Sequence, residues 1–311
     1  MIKNSYVYGP VPSRRLGLSL GINIIPPKTC TLNCIYCQCG RTTKMTLTRQ
    51  SFFPIHEILN KVRDAVKGRK IDFLTFSGEG EPTLNKDIGK LIRRLKTEFN
   101  LPVAVITNST LLSDPKVRQD LYPADLVVPS LDAADQSTFR RVNRCHARLR
   151  VENIITGLKT FRRYYRGKIW LELMLVKGIN DTPKHLIKLR RLAYEIKPDR
   201  VHLNTVVRPP AEKFARPLSE DDLTQILALF GPEAEIASPT RQKHRQPLHQ
   251  GDEEMIMAIV QNRPVTEEDL LAGTGIAPEK LKAILQNLVK RNKIKKVNFL
   301  NKSFYEPCQG K

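Results

Sequence analysis

The sequence predicts an α/β protein with a partial (β/α)6 TIM-like barrel followed by a small winged helix-turn-helix domain. Six short apolar segments alternate with amphipathic stretches up to about residue 230, the pattern of parallel strands joined by crossover helices. A different pattern follows, and 311 residues suit about two domains. Six units are too few for a complete eight-stranded barrel, so an incomplete barrel and an open doubly wound sheet both fit.

The first strand is predicted at 16–24, where apolar side chains alternate with small or polar ones in a period of two. Five further strands are short apolar runs that end at a turn: 71–76, 103–106, 126–131, 169–176 and 201–207. Apolar residues at helical spacing predict five helices between and after them: 55–66, 88–99, 151–165, 186–196 and 223–230.

Three prolines mark residues 232–250 as a linker. Beyond it the pattern predicts a helix at 253–261, a capped helix start at Thr266, a helix at 278–291 and a hairpin at 294–305. This is the outline of a winged helix. The predicted domains are therefore a barrel at 1–231, the linker at 232–250 and a winged helix at 251–311.

Composition and charge limit the class of protein. Hydrophobic residues make up 41% of the chain, which excludes a mostly disordered protein. No apolar run approaches the roughly 18 residues of a membrane span, and no secretory signal is visible, so we expect a cytoplasmic protein. The formal net charge of +21 fits a polyanionic partner, most simply a nucleic acid such as tRNA.

The positive charge is unevenly distributed. Residues 250–311 hold ten Lys or Arg and eight Asp or Glu, so nearly all of the surplus lies in the first 249 residues. The segment 138–168 has ten basic residues and one acidic residue, Glu152. We therefore expect a polyanion to bind the barrel, although the basic segment also fits a solvated helix face.

Four of the six cysteines lie within ten residues, directly after the first predicted strand. Three thiolates on one loop, at Cys30, Cys34 and Cys37, can hold three irons of a cubane cluster and leave the fourth iron open to a small molecule. Zinc is the alternative, with Cys39 or His56 as a fourth ligand, and buried free thiols are another. Cys39, Cys145 and Cys308 lack motif spacing; together they could hold a second cluster, or Cys39 could border the first.

The run from Cys30 to Cys37, Cys-Thr-Leu-Asn-Cys-Ile-Tyr-Cys, resembles the signature of radical S-adenosylmethionine (SAM) enzymes. Four later segments resemble further motifs of that superfamily and follow predicted strands: Ser77–Pro82 (Ser-Gly-Glu-Gly-Glu-Pro), Thr107–Ser109, Ser130–Asp132 and Val176–Asp181. The resemblance covers residues 16–210. It implies a [4Fe–4S] cluster on the three cysteines and SAM as the second cofactor.

The resemblance also implies roles for individual residues. Glu81, which precedes the proline, is expected on the methionine amine in preference to Glu79. Tyr36 could stack on a bound base. The remaining expected SAM-binding residues are polar or small: Gly80, Asn108, Ser130, Asp132, Asn180 and Asn204. Ser130 and Asp132 could instead cap a following helix.

The implied reaction begins when a reduced cluster passes one electron to the SAM sulfonium. Cleavage gives methionine and a 5′-deoxyadenosyl radical, which takes a hydrogen atom from the substrate. The implied electron donor is a flavodoxin or a ferredoxin-like protein. The cofactor carries the chemistry, while the protein supplies geometry and excludes water.

Two further segments, 12–30 and 203–210, resemble a group of iron–sulfur oxidoreductases often likened to the enzymes that remodel the wybutosine-type guanosine of tRNA. Those tRNA enzymes have a longer cysteine spacing than this chain. Arg14, Arg15 and Arg208 lie in these segments and are candidates for binding a substrate phosphate or carboxylate.

Two other functions remain open. A peptide-modifying radical SAM enzyme could use the nearly neutral winged helix to dock its substrate. A non-catalytic iron–sulfur redox sensor could bind DNA through the same domain, although a sensor does not need the polar motifs at the strand ends.

Overall fold

An eight-stranded sheet organises the first three quarters of the chain in the computed structural model, which describes residues 6–13, 15–237 and 252–308. Within the described residues before the C-terminal unit, the strands are β1 (Val7–Ser13), β2 (Gly17–Ile22), β3 (Thr29–Cys30), β4 (Lys44–Met45), β5 (Phe73–Phe76), β6 (Val103–Thr107), β7 (Leu126–Pro129), β8 (Lys168–Leu175), β9 (Arg200–Thr205) and β10 (Ala234–Ile236). The sheet order is β1-β2-β5-β6-β7-β8-β9-β10. Only β1 runs antiparallel to its neighbour.

Helices connect the parallel strands and cover the sheet: α1 (Ile55–Val66), α2 (Ile88–Phe99), α3 (Pro115–Leu121), α4 (Gln136–Asn143), α5 (Val151–Tyr164), α6 (Pro183–Ile196) and α7 (Glu220–Phe230). Each longer helix turns one apolar stripe inward. In α2 the stripe contains Ile88, Leu91, Ile92 and Leu95, all buried. Burial of each such side chain stabilises the fold by about 1.5–3 kcal/mol. The fold is therefore a mixed α/β fold with a parallel sheet, as predicted.

The structure adds strands at both edges of the predicted sheet. The six predicted strands correspond to β2 and β5 to β9, while β1 and β10 were not predicted. Residues 234–236, in the segment predicted as a linker, form β10 and pair with β9. The rest of that segment from residue 238, together with residue 251, lies outside the described residues. The short helices α3 and α4 were also not predicted.

The C-terminal unit, residues 252–308, contains the elements that its sequence pattern predicts. These are α8 (Asp252–Asn262), α9 (Glu267–Thr274), α10 (Pro278–Lys290) and an antiparallel hairpin of β11 (Ile294–Phe299) and β12 (Lys302–Pro307). Helix α9 begins at the predicted cap, where the Thr266 hydroxyl accepts a hydrogen bond of 3.1 Å from the Asp269 backbone N–H.

The C-terminal unit packs against β1, the first strand of the chain. Tyr8 and Val11 of β1 share a buried apolar cluster with Ile256, Ile259 and other residues of the unit. Helix α9 approaches the strand so closely at Gly273 that a Cβ there would lie 2.8 Å from Cδ of Pro12. The unit therefore sits beside the end of the sheet that carries the polar motifs.

Candidate functional site

A cavity of about 320 Å³ lies at the carboxyl ends of the parallel strands and is named here the cluster cavity. The carboxyl ends of parallel strands meet at one edge of a sheet, and this edge carries the site in many α/β proteins. Each of β5, β6 and β9 contributes polar residues at its end, including Thr75, Thr107 and Asn204. Cys30, Cys34 and Cys37 border the same cavity.

The cysteine loop, residues 23–45, leaves the end of β2 and is held by backbone hydrogen bonds. The short strands β3 and β4 pair within it. The backbone N–H of Asn33 donates a 3.0 Å hydrogen bond to the Asn143 carbonyl at the end of α4. The N–H of Ile35 donates one of 3.0 Å to the Val142 carbonyl. The three cysteines are therefore presented by a loop fixed to the sheet at one end and to α4 in its middle.

Side-chain amides approach two of the three sulfurs. Nδ2 of Asn143 lies 3.3 Å from Sγ of Cys34, and Nδ2 of Asn108 lies 3.5 Å from Sγ of Cys30. Such donors stabilise negative charge on sulfur, and hydrogen bonds to sulfur also tune the potential of iron–sulfur clusters. This donor set suits cysteines that bind metal as thiolates.

The thiols differ in their pKa values. Burial raises the pKa of Cys30 to about 12 and, with the nearby Asp132, raises the pKa of Cys34 well above its usual value. The pKa of Cys37 is lowered, chiefly by the neighbouring Cys39 side chain and backbone. Metal binding favours the deprotonated form, so it would offset the cost of burying thiolates at Cys30 and Cys34.

The positions of the three cysteines help to distinguish a single zinc ion from an iron–sulfur cluster. Within the described ranges, no three His, Cys, Asp or Glu side chains converge closely enough to hold a single metal ion. A tetrahedral zinc needs its sulfurs about 2.3 Å from one centre. The cysteines of a cubane cluster each bind a different iron and so lie farther apart. The residues present therefore fit the cluster better than a single ion.

Glu81 lines the cluster cavity and is held by four hydrogen bonds. Its carboxylate accepts bonds from the Thr83 N–H (3.1 Å), the Thr83 hydroxyl (2.6 Å), the Thr107 hydroxyl (2.6 Å) and the Asn108 N–H (2.7 Å). Burial raises its pKa, and these bonds oppose that rise. Glu79 lines a different cavity, where burial raises its pKa to about 7. Of these two carboxylates, Glu81 is therefore the one that lines the cavity with Cys30, Cys34 and Cys37.

Gly80 brings this motif against the cysteine loop. A Cβ at this position would lie 2.1 Å from the carbonyl oxygen of Thr29, and the same carbonyl accepts a 3.2 Å hydrogen bond from the Glu81 N–H. Only glycine allows so close an approach. Gly80 thus borders the cavity and sets the distance between Glu81 and Cys30.

Two predicted SAM-binding residues do not line the cavity. The Asp132 carboxylate lies behind its wall and accepts hydrogen bonds from the Tyr36 hydroxyl, from Nδ2 of Asn143 (2.7 Å) and from the Met174 N–H (3.0 Å). Asn180 is fully buried, where it binds backbone groups of Val176, Met174 and Asp132 at 2.7–2.9 Å. Both side chains are occupied in holding the strand-end loops together.

The other predicted residues do border the cluster cavity. Tyr36, Asn108, Ser130 and Asn204 all line it. Nδ2 of Asn108 also donates to the Thr31 hydroxyl (2.8 Å), and Nδ2 of Asn204 donates to Glu172 (3.2 Å). The Tyr36 ring lies directly before Cys37 in the wall.

The three arginines predicted to bind the substrate differ in their positions and contacts. Arg14 lies outside the described residues. Arg15 lines the cavity and forms an ion pair with Glu172. Arg208 lines it too, and it donates to the Pro264 carbonyl (3.1 Å) and lies 3.5 Å from Asp269 in the C-terminal unit.

Sequence reasoning missed several lining residues. Glu172 could have been noticed as a charged residue inside the apolar strand β8. The hydroxyls of Ser19 and Thr75 bind each other at 2.7 Å in the wall and carry no motif. Asn262 and Arg263 come from the C-terminal unit, which no sequence signal places here.

Comparison with known proteins agrees with this geometry. The sequence profile of the Radical SAM superfamily matches residues 24–190. UPF0026 protein MJ1312 of Methanocaldococcus jannaschii is 36% identical over 311 aligned residues, which cover 96% of this chain and 94% of that protein.

More distant proteins share part of the chain. The probable dual-specificity RNA methyltransferase RlmN of a Synechococcus species is 28% identical over 62% of this chain and 53% of that protein. The crystal structure of a radical SAM methyltransferase from Sphaerobacter thermophilus shares the fold, with a TM-score of 0.57 and 20% identity over 70% of this chain and 65% of that one. The resemblance found in the cysteine motif is confirmed, and the chain is a radical SAM enzyme of the UPF0026 family.

Proposed function

We propose that this chain holds a [4Fe–4S] cluster on Cys30, Cys34 and Cys37, cleaves SAM reductively and abstracts a hydrogen atom from an RNA substrate. One observation carries the proposal: the three cysteines, Glu81 and Asn108 border a single cavity at the carboxyl ends of the strands. These are the residues that the superfamily motifs supply.

A cluster held by Cys30, Cys34 and Cys37 would, when reduced, supply the one electron needed for reductive cleavage of SAM. Glu81 binds the methionine amine, and its four hydrogen bonds fix the direction of its carboxylate. Asn108, Ser130 and Asn204 offer polar groups to the ribose and the methionine carboxylate. Tyr36 packs against the adenine, while Asp132 and Asn180 position the loops that carry the others.

The RNA assignment rests on charge and on one relative. The RlmN protein is named as an RNA methyltransferase. The net charge of +21 lies almost entirely in the first 249 residues, which supply all of the cavity lining except Asn262 and Arg263. Phosphate contacts dominate the affinity of proteins for nucleic acids.

We interpret the sheet and its helices as a partial barrel, because β1 and β10 leave it open at two edges. We interpret the three helices and hairpin of the C-terminal unit as a winged helix that docks on the barrel. No described helix is long and apolar enough to cross a membrane. We propose a cytoplasmic enzyme that takes its electron from a flavodoxin or a ferredoxin-like protein.

The decisive test measures 5′-deoxyadenosine. The chain is reconstituted anaerobically with iron and sulfide, reduced with dithionite and mixed with SAM. Wild type should form 5′-deoxyadenosine, and Cys34→Ala should form none. Cys145→Ala is the matched control: it is also half-buried but does not line the cluster cavity, so its yield should equal that of wild type. Intact SAM in the presence of a full cluster would favour a redox sensor.

A second assay identifies the substrate class. Cell extract should raise the yield of 5′-deoxyadenosine, because substrate draws the radical forward. Treating the extract with ribonuclease should remove that increase, and treating it with protease should not. The reverse pattern would contradict the RNA proposal and favour a peptide substrate.

A further inference from the structure

The C-terminal unit contributes to the wall of the cluster cavity through the residues that follow α8. Helix α8 ends at Asn262, and Pro264 then disfavours helical geometry for the residue before it. Asn262 is anchored to the barrel by Nδ2 of Asn23 (3.3 Å) and by the thiol of Cys39, whose sulfur lies 3.5 Å from its carbonyl oxygen. Arg263 therefore enters the wall from a fixed backbone.

A second cavity of about 710 Å³ lies between the barrel and the C-terminal unit and is named here the interdomain cavity. It shares four lining residues with the cluster cavity: Gln38, Cys39, Asn262 and Arg263. Its volume is in the range that holds small organic ligands. A molecule in the interdomain cavity would thus lie against the same wall as one in the cluster cavity.

Arg263 differs from the other two described arginines of the cluster cavity. Arg15 pairs with Glu172, and Arg208 pairs with Asp269. In the described chain, Arg263 has no carboxylate within ion-pair distance; Nη2 lies 3.5 Å from the Pro12 carbonyl, and the buried Nε has no hydrogen-bond partner. The segments outside the described ranges contain no Asp or Glu.

A buried guanidinium nitrogen without a partner is unfavourable unless a ligand satisfies it. Guanidinium groups bind carboxylate and phosphate through paired, parallel hydrogen bonds. Two candidate ligands of Arg263 carry such groups: the carboxylate of the methionine part of SAM and a phosphate of the substrate. The side chains proposed for SAM in the segments after β5, β6 and β7, namely Glu81, Asn108 and Ser130, line only the cluster cavity, whereas Arg263 lies where the two cavities meet.

We propose that Arg263 binds a phosphate of the nucleotide substrate, and that the interdomain cavity is the site through which this nucleotide reaches the cluster. The proposal rests on the proposed RNA function and adds a residue from the C-terminal unit to the site. Lys28 and Arg41 also line the interdomain cavity and add positive charge, while Glu79 and Glu306 contribute the carboxylates of its wall.

The test compares the binding of total tRNA to wild type, Arg263→Gln, Arg263→Lys and Arg291→Gln over a series of salt concentrations. Arg291 pairs with Glu253 on the same unit and lines neither cavity. Arg291→Gln is therefore a control that removes the same charge away from the proposed site. Arg263→Gln should weaken binding about tenfold or more and reduce the salt slope by about one, while Arg291→Gln stays within about twofold. Arg263→Lys should lie between them, because it keeps the charge and loses the paired geometry.

A second measurement, the affinity of each reconstituted variant for SAM without RNA, shows whether Arg263 binds the methionine carboxylate of SAM or a substrate phosphate. Thermal unfolding checks that each variant is folded. We expect Arg263→Gln to bind SAM as wild type does. Weaker SAM binding with unchanged tRNA binding would assign Arg263 to the methionine carboxylate and overturn the proposal. Equal tRNA affinities for both glutamine variants would overturn it while leaving the RNA function intact. Failure of wild type to bind tRNA would contradict both.

Discussion

The hydroxyl of Tyr36 donates a hydrogen bond to the carboxylate of Asp132. This bond joins the cysteine loop, one residue before Cys37, to the loop that follows β7. Nδ2 of Asn143 donates to the same carboxylate and approaches Cys34, so the contact continues to a cysteine sulfur. Two motifs almost a hundred residues apart in the chain are therefore one hydrogen-bonded unit.

Replacing Tyr36 with phenylalanine tests this unit. Tyr36→Phe keeps the ring in the cavity wall and removes the part-buried hydrogen bond to Asp132, together with the 3.3 Å hydrogen bond that the hydroxyl accepts from Nδ2 of Asn143. We expect the free energy of unfolding to fall by about 1–2 kcal/mol, measured by denaturant titration. Tyr164→Phe is the control, because Tyr164 is 56% exposed and its loss of a hydroxyl should change little. Equal stability of Tyr36→Phe and wild type would show that the bond does not hold the loop.

Gly80 should tolerate no side chain. The Cβ of Gly80→Ala would lie 2.1 Å from the Thr29 oxygen and 2.8 Å from Cγ2 of Ile25, so the cysteine loop must move. We expect a loss of about 1–3 kcal/mol in stability and a lower iron content after reconstitution.

Gly178→Ala is the control for Gly80→Ala, because it introduces backbone strain without a steric clash. Gly178 has a φ of +72°, and apart from its chain neighbours no atom lies within 4 Å of the position that a Cβ would take, so alanine there strains only the backbone. The control should lose about 1 kcal/mol in stability and keep a full cluster. Full iron content in Gly80→Ala would refute the steric role of Gly80.

Glu79 should make stability depend on pH. Burial raises its pKa from the usual 4.5 to about 7, with Lys28 opposing the rise. Between these values the folded chain binds a proton that the unfolded chain has lost, so ionisation lowers stability as the pH rises. Glu79→Gln cannot ionise. We expect its stability relative to wild type to increase by about 2–3 kcal/mol from about pH 5 to 8.

Denaturant unfolding of both proteins at several pH values measures this difference. Raising KCl to about 0.5 M should leave the trend in place, because its main cause is burial rather than a neighbouring charge. A difference that is constant across the pH range would mean that Glu79 is hydrated in the folded chain.

The sequence was most informative where the chemistry is local. Cys30, Cys34 and Cys37 share one loop, and Glu81 precedes a proline at a strand end, so a short motif specifies each. Asp132 and Asn180 belong to comparable motifs, yet they bind backbone and neighbouring side chains behind the wall. A motif gives the residue type and the strand end, but the direction of the side chain depends on packing with neighbouring loops.

Features that depend on distant parts of the chain were not predictable. Strand β1 pairs antiparallel at the sheet edge, and its apolar residues face a unit that begins more than two hundred residues later. Arg263 reaches the cavity only because that unit docks on β1. Neither contact leaves a periodic signal in the sequence, because each rests on tertiary packing between separate segments.

The docking of the C-terminal unit on β1 also sets an order of events during synthesis. Tyr8 and Val11 are synthesised before the side chains that bury them, which belong to the C-terminal unit. Until then the nascent barrel exposes an apolar strand at its edge, a surface prone to pairing with other chains. The C-terminal unit thus protects β1, and we expect a chain that stops before α8 to aggregate more readily than the full chain.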